Sequence, residues 1–296
     1  MNIHLENIDL NSYSGPNSFA NKFVNYVEGC TFDPNKEAAA HLCFIETHKS
    51  HFEKPLFLRL DGIYVNAKQD YQRQNYNIKR TYDLAKGVIF QSEFGKKLIF
   101  KTFGEHPNYT IITNGADTRK ISETQPLKYT KYENVWACAS NWRPHKRLNS
   151  NIRYFLEHSG PNDGLIVAGA VPKNQQVRAK NIHYVGTLNQ KQLFSLYKRS
   201  TFLIHLASLD CCPNVVVDAR ACGCKIICTD SGGTREIAGS DAVVIKDLDW
   251  NFEPLDLYNP CELDFSNFSD LKGIDSEVDM SYVSNRYINF IKESLK

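Results

Sequence analysis

Between Thr201 and Ile237 the chain reads TFLIHLASLDCCPNVVVDARACGCKIICTDSGGTREI, and this order of residue types admits few folds. Thr201 to Ala207 is β-branched and apolar, and so is Lys225 to Thr229, as expected of two strands buried on both faces of a parallel sheet. The intervening residues predict a helix. Pro213 fits its first turn, where a missing N–H costs nothing, and Gly223 fits the left-handed position after its last turn. The helix therefore begins at the carboxyl end of a strand, where open α/β sheets bind ligands, and its unpaired N–H groups make an anion site there.

Two carboxylates frame that site. Asp210 lies in the loop before the helix and Asp218 one turn beyond Asn214 on the same face, with seven residues between the acids. A carboxylate offers only acceptors, so the pair suits hydroxyl donors of a sugar and a ribose, with phosphates at the helix start between them. Sugar, phosphate and ribose in a row describe a nucleotide sugar. Either acid alone also fits a plainer role, Asp210 as a helix cap and Asp218 as a solvated charge. The pair, taken with Pro213, Asn214 and the Gly232-Gly233 loop, favours the ligand.

The segment resembles the donor-site signature of the family-4 retaining glycosyltransferases, glycosyl transferases group 1, whose pattern is an acid, seven residues, an acid, a helix of small residues, a strand and a Gly-Gly loop. The resemblance implies an α/β protein of the GT-B fold, two Rossmann-like domains facing a cleft, with donor on the second and acceptor on the first. It implies transfer of a hexosyl group from a UDP- or GDP-sugar to a hydroxyl of a glycan, lipid-linked or protein-linked acceptor, with retention of configuration. Asp210 would then hold the sugar and Asp218 the ribose, while Pro213, Asn214, Val215, Gly232 and Gly233 line the donor. Where the family usually has two glutamates, this chain has two aspartates, each one methylene shorter.

A chain of 296 residues suits two domains, each able to bury its own core. The expected boundaries are 1–125 for an acceptor domain shorter than the family's usual one, 126–275 for the donor domain, and 276–296 for a last helix returning to the first. With 35 Lys and Arg against 33 Asp and Glu, the net charge of +2 gives no reason to invoke nucleic acid. No apolar run approaches a membrane span and MNIHLENIDL lacks the pattern of a signal peptide, so the expectation is a cytoplasmic protein, at most peripheral at a membrane. Nine cysteines without paired metal-ligand spacing read as reduced core thiols, Cys43, Cys138, Cys222 and Cys228 among them.

In chain order, a first strand leads to the small-residue loop Ser14 to Ser18 and a helix from about Phe19 to Val27. The resemblance makes Gly15 and Asn17 candidates beside the donor. Pro55 to Leu60 is a strand, and Asp61 just beyond it stands where many family members have a histidine that touches the sugar; a turn-forming Asp-Gly pair reads equally well. His48 and His51 precede it in a loop. A polar helix is expected over 66–85, a basic amphipathic helix over 93–103, a strand over 111–113 and a linker from Lys120 to Tyr132. The basic helix fits either a membrane surface or, as we favour, ordinary packing with solvated lysines.

The second alternation opens with Val135 to Ala139 and the loop Ser140-Asn141-Trp142-Arg143-Pro144-His145-Lys146-Arg147. Cations there would stabilise a departing diphosphate. The family's arginine and lysine carry over to Arg143 and Lys146, with Arg147 able to share the work. Gly186, Thr187 and Leu188, after the strand Ile182 to Val185, match the loop that meets the nucleotide base. The helix 189–199 should turn Leu193, Leu196 and Tyr197 inward, 247–274 should wrap the surface, and 278–295 has helical spacing. Because cations and a helix neutralise the phosphates, no metal or other cofactor is expected. Two rival readings remain at this level: an epimerase or hydrolase of the nucleotide sugar, and a non-catalytic binding module.

Overall fold

The computed structural model describes residues 1–12, 14–33, 36–128 and 131–296. The chain divides into two compact units, the first made of residues 1–116, 251–255 and 277–296 and the second of residues 117–250 and 256–276. Among the described residues no helix is long and apolar enough to cross a membrane.

The first unit is built on β1 (Ile3–Glu6), β2 (Cys30–Thr31), β3 (Ala40–Phe44), β4 (Leu56–Leu60), β5 (Gly87–Phe90) and β6 (Tyr109–Ile111), all parallel in the order β2-β1-β3-β4-β5-β6. The inner strands β4 and β5 bury both faces, which is why they read as largely apolar runs. One face carries α1 (Gly15–Phe23) and α8 (Met280–Ser294), whose Phe19, Phe23, Val283, Tyr287 and Ile291 join Ile3, Leu5, Leu42 and Phe57 in one core. Each such side chain contributes roughly 1.5–3 kcal/mol of hydrophobic stabilisation. The other face carries α2 (Tyr71–Leu84) and α3 (Glu93–Phe103) over Leu58, Leu60, Val88 and Phe90.

The first helix begins at Gly15, four residues earlier than its apolar spacing suggests. Ser14 is extended at the N-cap and Pro16 supplies a preset φ in the first turn, so the small-residue loop is helical from Gly15 onward. The polar helix starts late, at Tyr71, because the Asp70 side chain accepts from Arg73 N and fixes the cap there. The third strand-like run is paired at 109–111 rather than 111–113. In the basic helix Leu98 and Ile99 are buried, Lys96 pairs with Glu93 and Lys101 donates to the Asn251 carbonyl, the packed arrangement.

The second unit holds β7 (Val135–Ala139), β8 (Gly164–Ala168), β9 (Ile182–Gly186), β10 (Phe202–His205), β11 (Lys225–Thr229) and β12 (Val243–Ile245), parallel in the order β12-β11-β10-β7-β8-β9. It opens with α4 (Thr118–Glu123), so the expected linker is helical at its start; Tyr129 and Thr130 lie outside the described residues. α5 (Leu148–His158) packs on one face with Trp136, Leu165 and Ile204. α6 (Gln190–Arg199) and α7 (Asn214–Ala221) pack together, and Phe194 rather than Leu193 is the buried side chain of α6 beside Leu196 and Tyr197. The irregular stretch after β12 is more than a surface wrap, since Leu263 and Phe265 enter the core with Tyr154. All nine cysteines are free; Cys43, Cys138, Cys212, Cys224 and Cys228 are buried as expected of core thiols, Cys30, Cys211 and Cys222 are half-buried and Cys261 is exposed.

A buried ion pair closes the second unit. Arg147 Nη1 and Nη2 donate to Asp247 Oδ2 and Oδ1 at 2.6 and 3.0 Å, with both side chains no more than 2% exposed. Removing one partner would strand a charge in the interior, so Asp247→Ala should lower stability by about 3–5 kcal/mol. Trp136, Trp142 and Trp250 all lie in this unit, so tryptophan fluorescence during urea unfolding reports the change; a loss below about 1 kcal/mol would show the pair to be dispensable.

Candidate active site

In the second sheet the strand order reverses between β7 and β10: β8 and β9 extend it on one side, β11 and β12 on the other. Such a switch point opens a crevice at the carboxyl ends of the strands. β10 pairs with β7 only at Phe202↔Trp136 and Leu203↔Ala137. Beyond that pairing the backbone is held by side chains and turns. Asn151 at the start of α5, only 1% exposed, donates to the Lys146 and Arg147 carbonyls at 3.1 and 2.7 Å and accepts from Leu206 N at 3.2 Å. Ser208 N donates to the His145 carbonyl at 2.8 Å. The turn after β7 and the loop after β10 are thereby tied to each other.

The turn is a short 3-10 segment, Pro144–Lys146, followed by Arg147 in the left-handed region at φ 50°. It carries Lys146, whose ammonium pairs with Asp210 Oδ2 from the opposite loop. His205, the last residue of β10, places Nε2 3.0 Å from the same oxygen. Burial would raise the Asp210 pKa, but Lys146 and His205 outweigh it and hold the carboxyl well below the usual range. Burial lowers the His205 pKa. Burial, then the neighbouring Lys146 charge, push His145 down to about 4. The site is thus one half-buried carboxylate facing one ammonium, flanked by imidazoles that burial keeps neutral.

The Gly-Gly loop fixes Asp210 from the other side. Gly233 N donates to the Asp210 carbonyl at 2.8 Å, and Gly232 bridges to Asp210 with φ at +85°. A Cβ on Gly232 would lie 2.6 Å from the Asp210 carbonyl oxygen, so both conformation and contact require glycine. Leu209, at φ 55°, is held by Ser231 Oγ accepting from its N–H at 3.1 Å. Next, α7 begins with Pro213 at its N-cap, outside the first turn where the sequence puts it, and no side chain caps the helix. Its positive end therefore faces the carboxyl edge of the sheet unmasked by a side-chain cap.

Of the residues expected at the donor, Lys146, Asp210, Gly232 and Gly233 meet directly, and Pro213, Asn214 and Val215 form the helix start that follows. Asp218 is half-buried in the middle of α7. Arg143 is exposed at the head of the 3-10 turn. Arg147 does not share in the site: its guanidinium is committed to Asp247 in the interior. Gly186, at φ +69°, ends β9, and Thr187 and Leu188 follow it. A pocket of about 420 Å³ opens there, lined by Gly169, Val171, Pro172, Gln176, Tyr184 and Gly186.

Three candidates belong to the first unit. Gly15 and Asn17 lie in the first turn of α1, where Asn17 Oδ1 accepts from Asp9 N at 3.2 Å. Asp61 follows β4 and pairs with Arg59, a fully buried side chain whose guanidinium lies 4.2 Å from the Phe19 ring centroid and donates to Asn114 Oδ1 at 2.7 Å. His48 and His51 are exposed. Sequence reasoning missed His205 and Asn151. The signal for each was a polar residue at a position its element should bury: His205 ends an otherwise apolar strand, and Asn151 sits beside Ile152 on the inner side of α5.

Residues 123–251 match the family described as Glycosyl transferases group 1. A GDP-mannose-dependent monoacylated alpha-(1-6)-phosphatidylinositol monomannoside mannosyltransferase of Corynebacterium glutamicum is 21% identical over 194 residues, 54% of this chain and 51% of the relative. The chain thus spans about half the length of that curated relative. Among solved structures, Anabaena Alr3699/HepE in complex with UDP and glucose is similar over 99% of both chains, with a TM-score of 0.68 and 14% identity. AviGT4, a glycosyltransferase involved in Avilamycin A biosynthesis, gives 0.63 at 11% identity over 100% of this chain and 98% of its own. A glycosyltransferase from Rickettsia africae ESF-5 gives 0.63 at 12% identity over 100% and 99%. The chain has the GT-B fold, and the part of its second unit within residues 123–251 is similar to the group 1 glycosyltransferases.

Two outcomes are expected. Gly232→Ala should cost about 1–3 kcal/mol in urea unfolding, whereas Gly223→Ala, with open space at its Cβ, pays only for its φ of +94° and should lose less. His145 titrates near 6.5 when unfolded and at about 4 in the fold, so the unfolded chain binds more protons between those values. Its contribution is complete above the unfolded value and lost as pH falls through the folded one. Unfolding free energies at about pH 7.5 and about pH 5 should therefore fall less for His145→Gln than for the wild type, whose slope from this group is at most about 1.4 kcal/mol per pH unit. An equal fall in both would mean that His145 is not held neutral.

Proposed function

We propose that this protein transfers a hexosyl group from a nucleoside-diphosphate sugar, UDP- or GDP-linked, to a hydroxyl of a glycan, lipid-linked or protein-linked acceptor, with retention of configuration and without a metal ion. The observation that carries this reading is the approach of Lys146 and the start of α7 to Asp210 at the switch point of the second sheet. A diphosphate leaving group gathers negative charge as the glycosidic bond breaks, and an ammonium beside a helix N-terminus stabilises that charge. The HepE structure holding UDP-glucose and the mannosyltransferase that uses GDP-mannose support a sugar nucleotide as the donor class.

In this reading the Lys146–Asp210 pair is the resting state. The incoming diphosphate takes Lys146, which frees the Asp210 carboxylate to accept from sugar hydroxyls while His205 keeps its orientation. Asp218 holds the ribose, Arg143 approaches the phosphates from the exposed end of the turn, and the pocket beside Gly186 receives the base. One observation favours a second reading, a module that binds a sugar nucleotide without turning it over: the Asp210 carboxylate is already neutralised, and as an aspartate it reaches less far than a glutamate.

A melting-temperature panel of UDP, GDP, CDP, ADP and their sugars, with and without a divalent metal, separates these readings when paired with product analysis. A ligand that binds only the native state raises the melting temperature by mass action. The expected result is a shift with one nucleotide, unchanged by metal, and a kcat/KM lowered about 100- to 1,000-fold in Lys146→Ala. A shift without consumption of donor under any acceptor would favour the binding module, free sugar or epimer without acceptor would point to hydrolysis or epimerisation, and no shift at all would remove the donor site from Lys146.

A further inference from the structure

One corner of the first unit's sheet is polar on the face that elsewhere carries α2 and α3. β1 reads Ile-His-Leu-Glu; Ile3 and Leu5 enter the core beneath α1 and α8, so His4 and Glu6 face the other way. β3 runs beside it in register, with His41 opposite His4. The three side chains converge on one point. His41 Nδ1 lies 3.0 Å and His4 Nε2 3.4 Å from the same oxygen, Glu6 Oε1, and the three ligand atoms all lie within 4.8 Å of one another. His4 and Glu6 are buried and His41 is half-buried, with Phe52 edge-on against it at 5.0 Å. β1 and β3 also flank the reversal of strand order in this sheet, with β2 on one side and β4 on the other.

Hydrogen bonding accounts for only part of this cluster. Glu6 Oε1 already faces His41 at 3.0 Å and accepts from Lys49 Nζ at 2.7 Å, which fills the two lone pairs of one carboxylate oxygen. None is left there for His4, whose 3.4 Å lies beyond the usual N–H···O range. That separation does match the edge of a tetrahedron, about 3.3 Å when ligands stand about 2.0–2.1 Å from a central ion. The donor set, two imidazole nitrogens and one carboxylate oxygen, suits zinc-like ions rather than Mg²⁺ or Ca²⁺, which take oxygen.

We propose that His4 Nε2, Glu6 Oε1 and His41 Nδ1 bind a divalent transition-metal ion of the zinc type, with a fourth position open and Lys49 as its competitor. Lys49 pairs with both Glu6 oxygens, at 2.7 and 2.9 Å, and its side chain is 53% exposed. It neutralises the buried carboxylate in the absence of an ion and swings into solvent when one arrives, because two cations do not share Oε1. The ion would bridge two neighbouring strands, and the site is independent of the donor chemistry of the second unit.

The test is titration of the full chain with Zn²⁺ by calorimetry and with Co²⁺ by visible absorption, which distinguishes thiolate from imidazole and carboxylate ligands. One ion per chain with nitrogen and oxygen ligands is expected. His4→Ala and His41→Ala should each weaken binding at least about tenfold, and Lys49→Met should tighten it about tenfold. A thiolate spectrum, or affinity unchanged in the two histidine variants, would assign the ion to cysteines and overturn the proposal, as would the absence of binding in both wild type and Lys49→Met. Should a histidine variant lose its melting transition, Lys49→Met decides alone: tighter binding supports the site, unchanged affinity overturns it.

Discussion

Where β7 and β10 part company, two strands lose the ladder that would have satisfied their backbones. The fold answers with a single amide: Asn151 accepts the Leu206 N–H from the β10 side of the gap and donates to the Lys146 and Arg147 carbonyls on the β7 side. Buried peptide groups left without partners cost free energy comparable to a lost hydrogen bond, so this clasp is what lets the crevice stay open without unravelling its rim. Lys146 and Asp210 inherit their positions from it. Neither belongs to a regular helix or strand, yet both are set by elements that do.

The same logic explains why strain collects here. Arg147 and Leu209, two of the five non-glycine residues at positive φ among the described residues, stand on opposite sides of the crevice. Each is held by bonds its neighbours impose: Arg147 by the buried pair with Asp247, Leu209 by Ser231. Unfavourable backbone conformations of this kind persist only where surroundings over-determine them. Arg147, which by its place in the sequence could share the work of Lys146, instead commits its guanidinium to Asp247, because a left-handed residue turns its side chain elsewhere.

Much of the architecture could be read from residue patterns because parallel strands buried on both faces are apolar runs, and because α3, α6 and α7 announce their ends through Ser92, Asn189 and Gly223. Boundaries were lost where a side chain made the decision. Asp70 and Pro16 moved two helix starts, and neither effect follows from hydrophobic spacing. The site was legible as a list of residues and illegible as a set of contacts. That Lys146 would meet Asp210, 64 positions away, depends on the order of strands in the sheet, and no local pattern encodes that order.

The last helix carries a consequence for how the molecule is made. Met280, Val283, Tyr287 and Ile291 complete a core whose other buried members lie between Ile3 and Ile112, and the entire second unit is strung between them. During synthesis the first sheet emerges first yet waits with one face covered only by α1 until the second unit has been made, whereas the second unit has nearly all of its parts in hand. The later-made unit is therefore the earlier able to finish. The exposed underside of the first sheet, over Leu42 and Phe57, is the surface a nascent chain of this kind must keep from sticking to its neighbours.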